Sequence, residues 1–277
     1  MLLIIKKPFV TISAFLFLFV SFVSCKKDNS SNKITTGNKD TTKTAVKPVY
    51  ALVWSDEFDG TAVDTTKWGF DKGNLGVNHE KEYYQSQNAT VTNGNLVITA
   101  KKESVGGQAY TSARMNTLGK FSMTYGRIEA RIKLPLGLGM WPAFWMLGNN
   151  INAVSWPQCG EIDIMEHINA DNVIYGTMHW NVNGHVQYGS TTTTIASDYH
   201  LYAVEWDANT IRWYVDSVLY QTGNIANNIN TTGAFHLPFF ILLNLAVAGD
   251  FPGATVDESL LPESMYVDYV RVYKQTN

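Results

Sequence analysis

Apolar and polar side chains alternate along most of the chain from residue 49 onward, and helical periodicity is scarce. In residues 127–134, the apolar Ile128, Ala130, Ile132 and Leu134 alternate strictly with polar residues. A period of two is typical of a β-strand with one buried face. Further runs, separated by Gly, Asn, Asp and Pro, predict strands at residues 95–100, 173–180, 201–206, 210–220, 239–246 and 266–273.

The succession of these runs predicts the fold class. Many short strands follow one another without helical patterns between them, which favours an all-β, antiparallel sandwich over an α/β fold. Asp207-Ala208-Asn209 stands between two runs and predicts a hairpin loop. Because the sheets of such a sandwich are wide enough to curve, we expect a concave face that forms a groove for an extended polymer.

The N-terminus has the pattern of an export signal. Lys6 and Lys7 precede an apolar run at residues 9–23, which is too short to span a membrane comfortably. The run leads into Ser24 and Cys25, and a cysteine after a small residue resembles a bacterial lipoprotein cleavage site. We therefore expect lipidation of Cys25 and an outer-membrane or cell-surface location, with ordinary signal cleavage and secretion as the alternative.

Three segments are predicted along the chain. Residues 1–25 form the lipoprotein-type signal segment, residues 26–48 a flexible polar tether, and residues 49–277 one folded domain. The tether consists largely of Lys, Asn, Ser, Thr and Asp, which cannot bury enough apolar surface to fold. A membrane contact is therefore expected only through the lipid anchor.

Composition narrows the choice of partners. A formal net charge of -3 supplies no basic field, so a nucleic-acid partner is not expected. The chain has 2 cysteines, Cys25 and Cys159, and only Cys159 falls within the predicted domain. No disulfide can form within that domain. We expect a monomer that depends on its hydrophobic core.

The most informative chemistry lies in residues 156–167. Glu161 and Asp163 are two positions apart, so on a strand both point to one face while Ile162 and Ile164 point to the core. Glu166 would then face the core side. A one-residue bulge near residues 164–165 would bring it back to the face of the other two acids.

Three neighbouring carboxyls repel one another and raise at least one pKa. A raised pKa is useful where one carboxyl must keep a proton and another must lose it. Glycoside hydrolysis needs this division between two carboxyls, which lie about 5 Å apart in retaining enzymes. A hard-cation site and a solvated acidic edge are the alternatives, although the flanking Ile, Met and Trp residues fit an acidic edge poorly.

Residues 160–167 resemble the active-site signature of glycoside hydrolase family 16, in the form with an extra residue before the second glutamate that marks its laminarinase-type members. The resemblance extends over most of the chain from about residue 53 to residue 273. Matching segments lie at residues 54–58, 110–114, 125–135, 141–147, 244–247 and 267–273. Members of the family are β-jelly-roll enzymes, so the resemblance implies this fold and makes residues 49–277 the catalytic domain.

The resemblance also implies a reaction and its residues. Glu161 corresponds to the nucleophile, Asp163 to an assisting acid and Glu166 to the acid/base of retaining hydrolysis. The expected activity is endo-cleavage of laminarin-like β-1,3-glucan, extending to mixed β-1,3-1,4-glucan. This chemistry requires no cofactor.

Two other functions use the same fold. A surface glycan-binding lipoprotein would keep the aromatic residues but could lose the acids, and all three acids are present. A hydrolase for a marine or plant galactan, such as an agarase or carrageenase, would be expected to add basic groove residues, which the net charge of -3 does not indicate. A purely structural role of the sandwich would not explain the cluster of acids.

The family pattern also implies residues that bind substrate. Trp141 and Trp145 are expected at the glucosyl subsites, where an indole face stacks on a sugar ring, with core packing as the alternative. His179 is expected near the leaving group, and a satisfied core histidine is the alternative.

Four further polar residues match groove positions of the family. Arg114 and Asn244 border apolar runs and need polar partners, either sugar hydroxyls or neighbouring backbone. Asn78 and Glu80 match the loop that closes the non-reducing side of the groove in laminarinases.

A structural calcium is a feature of many family members. By resemblance, Asp268 and Glu57 would supply its carboxylate ligands, since Ca²⁺ prefers hard oxygen donors. Surface carboxylates without an ion are the alternative.

Overall fold

The computed structural model of the chain describes residues 48–277, so the predicted signal segment, Cys25 and nearly all of the predicted tether lie outside the described residues. The strands of this part are β1 (Tyr50–Asp56), β2 (Gly69–Phe70), β3 (Glu82–Tyr84), β4 (Ala89–Thr92), β5 (Asn95–Val105), β6 (Gln108–Ser112), β7 (Arg114–Asn116), β8 (Gly126–Lys133), β9 (Met140–Gly148), β10 (Glu161–Glu166), β11 (Val173–Asn181), β12 (His185–Thr193), β13 (Tyr199–Trp206), β14 (Thr210–Val215), β15 (Val218–Asn224), β16 (Phe239–Val247) and β17 (Glu263–Gln275). Helical structure is limited to α1 (Ile151–Val154) and 3₁₀ segments at Ser86–Asn88, Ala226–His236 and Glu258–Leu260. Within residues 48–277, no helix has the length and hydropathy needed to cross a membrane.

The strands form two sheets. The ten-stranded sheet has the order β15-β14-β13-β8-β17-β5-β6-β3, with β1 paired to β17 and β4 paired to β5. The seven-stranded sheet has the order β12-β11-β10-β9-β16-β7-β2. Neighbouring strands are antiparallel except for the pair β3 and β6. The predicted all-β antiparallel sandwich is confirmed.

The seven runs predicted from alternating hydrophobicity all fall on strands, with one error, and short strands such as β2 and β7 were not predicted. The strand predicted at residues 210–220 is a hairpin, because β14 ends at Val215 and β15 begins at Val218. The two turn residues, Asp216 and Ser217, have φ values of 48° and 68°. Positive φ at both positions is the geometry of a type I′ turn, but the usual glycine signal is missing. The predicted loop at residues 207–209 does join two antiparallel strands.

β10 contains the predicted bulge. Asp163 lies opposite Trp145 of β9, whereas Met165 lies opposite Phe144, so two steps along β10 match one step along its neighbour. The register against β11 shifts in the same interval. Ile164 and Met165 are consequently both buried, as the side chains around an extra residue can be. Glu166 returns to the face that carries Asp163.

The core between the sheets holds this bulge from behind. Trp213 of β14 is fully buried, and its indole Nε1–H donates a hydrogen bond of 2.8 Å to the backbone carbonyl of Asp163. An extra residue interrupts the regular ladder, so a backbone group at the bulge needs another partner. The opposite sheet thus contributes directly to the local geometry of β10.

Replacement of this indole should destabilise the bulge. Trp213→Phe removes the donor from a buried carbonyl, so we expect a loss of about 1–3 kcal/mol in the free energy of unfolding. We also expect faster amide hydrogen exchange at Ile164 and Met165. Urea unfolding and exchange mass spectrometry measure the two effects.

Trp206→Phe is the matched control. Trp206 is buried to a similar degree, but its indole donates to the carbonyl of Phe235 and not to a backbone group of β10. The control should lose stability without faster exchange at residues 164–165. Equal exchange at these residues in both variants would contradict a specific role of Trp213.

Candidate active site

A cavity of about 590 Å³ opens on the face of the seven-stranded sheet that points away from the core. A smaller space of about 50 Å³ adjoins it. The structure brings every catalytic and substrate-binding residue predicted from the sequence to the walls of these two spaces: Asn78, Glu80, Arg114, Trp141, Trp145, Glu161, Asp163, Glu166, His179 and Asn244. Residues from separate parts of the chain therefore form one site.

The backbone before β10 fixes where the acid row begins. Gly160 has a φ of 79°, in the left-handed region that favours glycine. A Cβ at this position would lie 2.9 Å from Cζ of Phe239, which is too close for a side chain. The positive φ and the lack of space for a Cβ both therefore favour glycine immediately before Glu161.

The two glutamates at the ends of the row each accept a hydrogen bond from an indole. The indole Nε1–H of Trp156 donates to Oε2 of Glu161 over 2.7 Å. The indole Nε1–H of Trp141 donates to Oε1 of Glu166 over 2.9 Å. Asp163, between them, has a side chain that is only 4% exposed, which excludes a solvated acidic edge.

Burial controls the protonation of the row. It raises the pKa of Glu161 to about 8, with the Asp163 charge adding to the effect. It also raises the pKa of Glu166 to about 7, although the hydrogen bond from Trp141 opposes the increase. The pKa of Asp163 is raised by burial and by the charge of Glu166. Near neutral pH, the row therefore keeps at least one proton.

Two histidines continue the row on the side of β12. Nε2 of His179 lies 2.9 Å from Oδ2 of Asp163. Nδ1 of His179 lies 2.8 Å from Nε2 of His185. The ring of His185 in turn packs on Trp156, with 4.6 Å between the centroids. On the side of β12, Trp156 therefore contacts Glu161 and His179 contacts Asp163.

The indole and imidazole contacts oppose a hard cation in the acid row. Ligand atoms of Glu161, Asp163 and His179 do lie within 4.8 Å of one another. A hard cation prefers several oxygen ligands, however, and this group contains a nitrogen ligand. The Trp156 indole also directs its N–H toward Glu161, and an N–H is a donor that cannot ligate a metal. The geometry favours a proton-sharing row.

Trp141 and Trp145 lie on the same face of β9, as their spacing predicts, and both line the larger cavity. Nε1 of Trp145 donates to Oδ1 of Asn244 over 2.7 Å. The guanidinium carbon of Arg114 lies 4.7 Å from the ring centroid of Trp145. Each ring is partly exposed and is held in place by polar neighbours.

Arg114 and Asn244 find their partners among side chains. Nε of Arg114 lies 2.9 Å from Oδ2 of Asp71, and Asn244 pairs with Trp145. These side-chain partners differ from the sugar hydroxyls and neighbouring backbone that were expected from the sequence. Both residues still line the cavities, so the Arg114 charge reaches the groove already paired with a carboxylate.

The predicted loop residues form a wall at one end of the site. Nδ2 of Asn78 donates to Oε1 of Glu80 over 3.0 Å, and the hydroxyl of Tyr84 donates to Oε2 of Glu80 over 3.1 Å. The backbone N–H of Asp250 donates to the carbonyl of Asn78, which joins a second loop to this wall. Both oxygens of Glu80 are thus oriented by the protein.

The sequence profile of "Glycosyl hydrolases family 16" matches residues 77–271, which include the acid row and the wall formed by Asn78 and Glu80. The chain belongs to this family. The resemblance found in residues 160–167 is therefore confirmed.

Relatives of this family 16 protein differ in their named activities. It is 42% identical to a beta-glucanase of Rhodothermus marinus over 82% of this chain and 86% of the relative. It is 42% identical to the clotting factor G alpha subunit of Tachypleus tridentatus, covering 83% of this chain but only 35% of that protein. It is 36% identical to a keratan-sulfate endo-1,4-beta-galactosidase of Sphingobacterium multivorum, over 97% of this chain and 68% of the relative.

A solved structure supports the fold assignment of this family 16 domain. The catalytic domain of an endo-1,3-beta-glucanase (laminarinase) from Thermotoga petrophila superimposes with a TM-score of 0.76 at 43% identity. The match covers 83% of this chain and 100% of that domain. The sandwich is thus a laminarinase-type jelly roll.

The proposed calcium ligands of the family 16 domain are engaged elsewhere. Oδ2 of Asp268 lies 2.7 Å from Nη1 of Arg131. Both oxygens of Glu57 accept hydrogen bonds from Arg271. Among residues 48–277, neither carboxylate belongs to a group of three side chains with converging ligand atoms. Both carboxylates are therefore paired with arginines in this structure, and the calcium site stays a prediction.

Sequence reasoning missed several cavity residues of the family 16 site. Trp156, Thr177, His185, Gln187 and Phe251 all line the larger cavity. Thr177 and Gln187 could have been found only from strand pairing, since Gln187 lies opposite His179 in the sheet. Trp156 and Phe251 lie in loops, where no periodic pattern marks a functional position.

The buried carboxyl of Glu82 should make the free energy of unfolding depend on pH. Its side chain is fully buried, and burial together with the nearby Glu80 raises its pKa to about 8. Between its ordinary pKa and about 8, the folded state keeps a proton that the unfolded state has lost. Stability therefore decreases as pH rises through this window. Glu82→Gln stays neutral and should become increasingly stable relative to wild type, by up to about 1.4 kcal/mol per pH unit.

Urea unfolding at pH 5 and pH 8 measures this difference. Glutamine can still accept the hydrogen bond that Val247 donates to Glu82, so packing should be retained. Glu103→Gln replaces an exposed glutamate and is the control, for which the difference should stay constant. A constant difference for Glu82→Gln would exclude a buried proton at this position.

Proposed function

We propose that the protein is a retaining endo-hydrolase of β-1,3-glucan that also accepts mixed β-1,3-1,4-glucan. The observation that carries the proposal is the bulged row of Glu161, Asp163 and Glu166 along one cavity wall, flanked by exposed tryptophan faces. The names of the beta-glucanase and laminarinase relatives support this substrate class.

The row supports a two-step displacement. The Glu161 carboxylate attacks the anomeric carbon while Glu166 delivers its proton to the glycosidic oxygen, so that the bond to the leaving sugar breaks. A glycosyl ester with Glu161 is formed. The Glu166 carboxylate then takes a proton from water, whose oxygen attacks the same carbon and releases Glu161. Burial of Glu166 favours the protonated form that the first step needs.

Asp163 assists by holding the proton that Glu161 must lose. Carboxylate oxygens of the two side chains lie within 4.8 Å of each other, so one proton can serve both. Asp163 is almost completely buried, whereas Glu161 is partly exposed, so desolvation opposes the anion more strongly at Asp163. We therefore assign the shared proton to Asp163, which donates it to a Glu161 carboxylate. The indole of Trp156 stabilises the same carboxylate.

The groove favours an uncharged polymer. Trp141 and Trp145 offer aromatic faces to pyranose rings. Among the residues that line the two cavities, Arg114 is the only arginine or lysine, and it is paired with Asp71. A sulfated chain such as keratan sulfate would lose its hydration without gaining an unpaired cation. We therefore place glucan before the galactan alternative, and the complete acid row favours hydrolysis over glycan binding alone.

Hydrolysis by the purified protein tests the substrate and the acids together. Wild type should release reducing sugar from laminarin, less from mixed-linkage glucan, and none from agarose or keratan sulfate. Glu161→Gln and Glu166→Gln should each lower laminarin hydrolysis by about 10²–10⁴-fold, because each removes an acid that acts in the transition state. Binding of laminarin without any release would favour the glycan-binding function instead.

Rescue by azide distinguishes the nucleophile from the acid/base. With a substrate whose leaving group needs no proton, Glu166→Ala plus azide should give a β-glycosyl azide from the glycosyl ester of Glu161. Glu161→Ala plus azide should give the α-product by direct attack. The reverse pattern of products would exchange the two assignments.

We further propose that the protein is an exported lipoprotein, anchored at Cys25 and acting as a monomer. The charged and apolar start of the sequence and the polar residues 26–48 support the anchor. Metabolic labelling with an alkyne fatty acid should mark wild type and spare Cys25→Ser. Equal labelling of both would exclude Cys25 as the acylated residue.

A further inference from the structure

Beside Asp163, two cavity-lining histidines form a pair to which the proposed chemistry assigns no role. His179 of β11 contacts Asp163 through Nε2, and its other nitrogen, Nδ1, lies 2.8 Å from Nε2 of His185. His185 is the first residue of β12, which is the edge strand of the seven-stranded sheet. The two ring planes are nearly parallel, with an interplanar angle of 20°, and their centroids lie 5.1 Å apart, so the rings meet through their nitrogen edges.

We propose that His185 is a positioning residue that donates its Nε2–H to Nδ1 of His179. The donation fixes the proton of His179 on Nε2, so that His179 donates to Asp163 and the proton of Asp163 stays directed toward Glu161. The role of this proton in catalysis rests on the proposed function, whereas the tautomer of His179 does not.

The protons along this chain of contacts can be arranged in two ways. A hydrogen bond between two neutral imidazoles needs one N–H and one lone pair. If His185 donates, the lone pair is at Nδ1 of His179, and its Nε2–H faces Oδ2 of Asp163. If His179 donated instead, a lone pair would face Asp163. The proton of Asp163 would then turn to His179 and leave Glu161 without it.

Aromatic contacts fix the position of the exposed His185 ring. Its centroid lies 4.6 Å from that of Trp156 and 5.1 Å from that of His179. Trp156 is itself fixed by its hydrogen bond to Glu161. The loop before β10 and the edge strand β12 therefore meet at one aromatic contact, which reaches Glu161 from one side and Asp163 from the other.

The charges around this contact are consistent with a neutral His185. The titratable groups of the neighbouring strands are Glu161, Asp163 and Glu166 on β10 and Tyr175 and His179 on β11. Burial and the neighbouring His179 lower the pKa of His185. A neutral imidazole carries one N–H, and a donor to His179 requires that it is at Nε2.

Nitrogen-15 NMR of the histidine rings tests the tautomer without any assay of activity. In the wild-type protein at pH 7.5, the shifts of His179 should indicate protonated Nε2 and unprotonated Nδ1. His185→Phe should shift His179 toward the Nδ1–H tautomer, because phenylalanine keeps the ring contact and removes the donor. A wild-type His179 protonated at Nδ1 alone would overturn the proposal, even if the protein hydrolyses glucan.

Kinetics with laminarin separate positioning from packing. His185→Phe should lower kcat by about tenfold with little change in KM. His185→Gln should restore most of this loss, since its amide N–H₂ can donate to His179. If the ring only supports Trp156, the phenylalanine variant would resemble wild type and the glutamine variant would be impaired. If His185 only binds sugar, KM would rise and kcat would stay constant.

Ser190→Ala is the control on the same strand, because Ser190 is exposed and does not line the cavities. It should match wild type in kcat, KM and His179 shifts. Absence of hydrolysis in wild type would refute the proposed function and leave the tautomer measurement decisive for His185. A wild-type tautomer as predicted, with no change in His185→Phe, would also overturn the proposal.

Discussion

A regular strand places successive side chains on opposite faces, and β10 departs from this rule once. The extra residue between Asp163 and Met165 allows Ile164 and Met165 to point into the core while Glu166 rejoins the face of Glu161 and Asp163. Without that single residue, one of the two terminal glutamates would be lost from the groove. The indole of Trp213, which bonds the Asp163 carbonyl, ties this local irregularity to the opposite sheet.

The position of the acids determines their protonation. The core beneath the row removes water from the carboxyls, and their mutual repulsion acts in the same direction, so all three pKa values are raised. Neutral donors limit this increase at the two ends, from Trp156 to Glu161 and from Trp141 to Glu166. The groove thus combines aromatic faces for uncharged sugar rings with a row of acids that retains protons near neutral pH.

The sequence predicted those features that depend on neighbouring residues. Alternation located strands such as β8 and β11, and the three-residue step from Asp163 to Glu166 required a bulge. Contacts between distant segments were not predictable, because local spacing does not encode strand register or loop conformation. The bond from Trp156 to Glu161, the contact of His185 with His179 and the pairing of Arg114 with Asp71 all belong to this class. The turn at Asp216 and Ser217 was missed because neither residue is glycine.

The stereochemistry of hydrolysis tests the central claim most directly, namely that the bulge sets two carboxyls in place for a double displacement. Proton NMR of laminarin oligosaccharides, recorded from the first seconds after mixing with the enzyme, distinguishes the anomers of the new reducing end before they equilibrate. The account predicts that the β-anomer forms first and that the α-anomer follows by mutarotation. Initial formation of the α-anomer would show direct attack by water and contradict a nucleophilic role for Glu161.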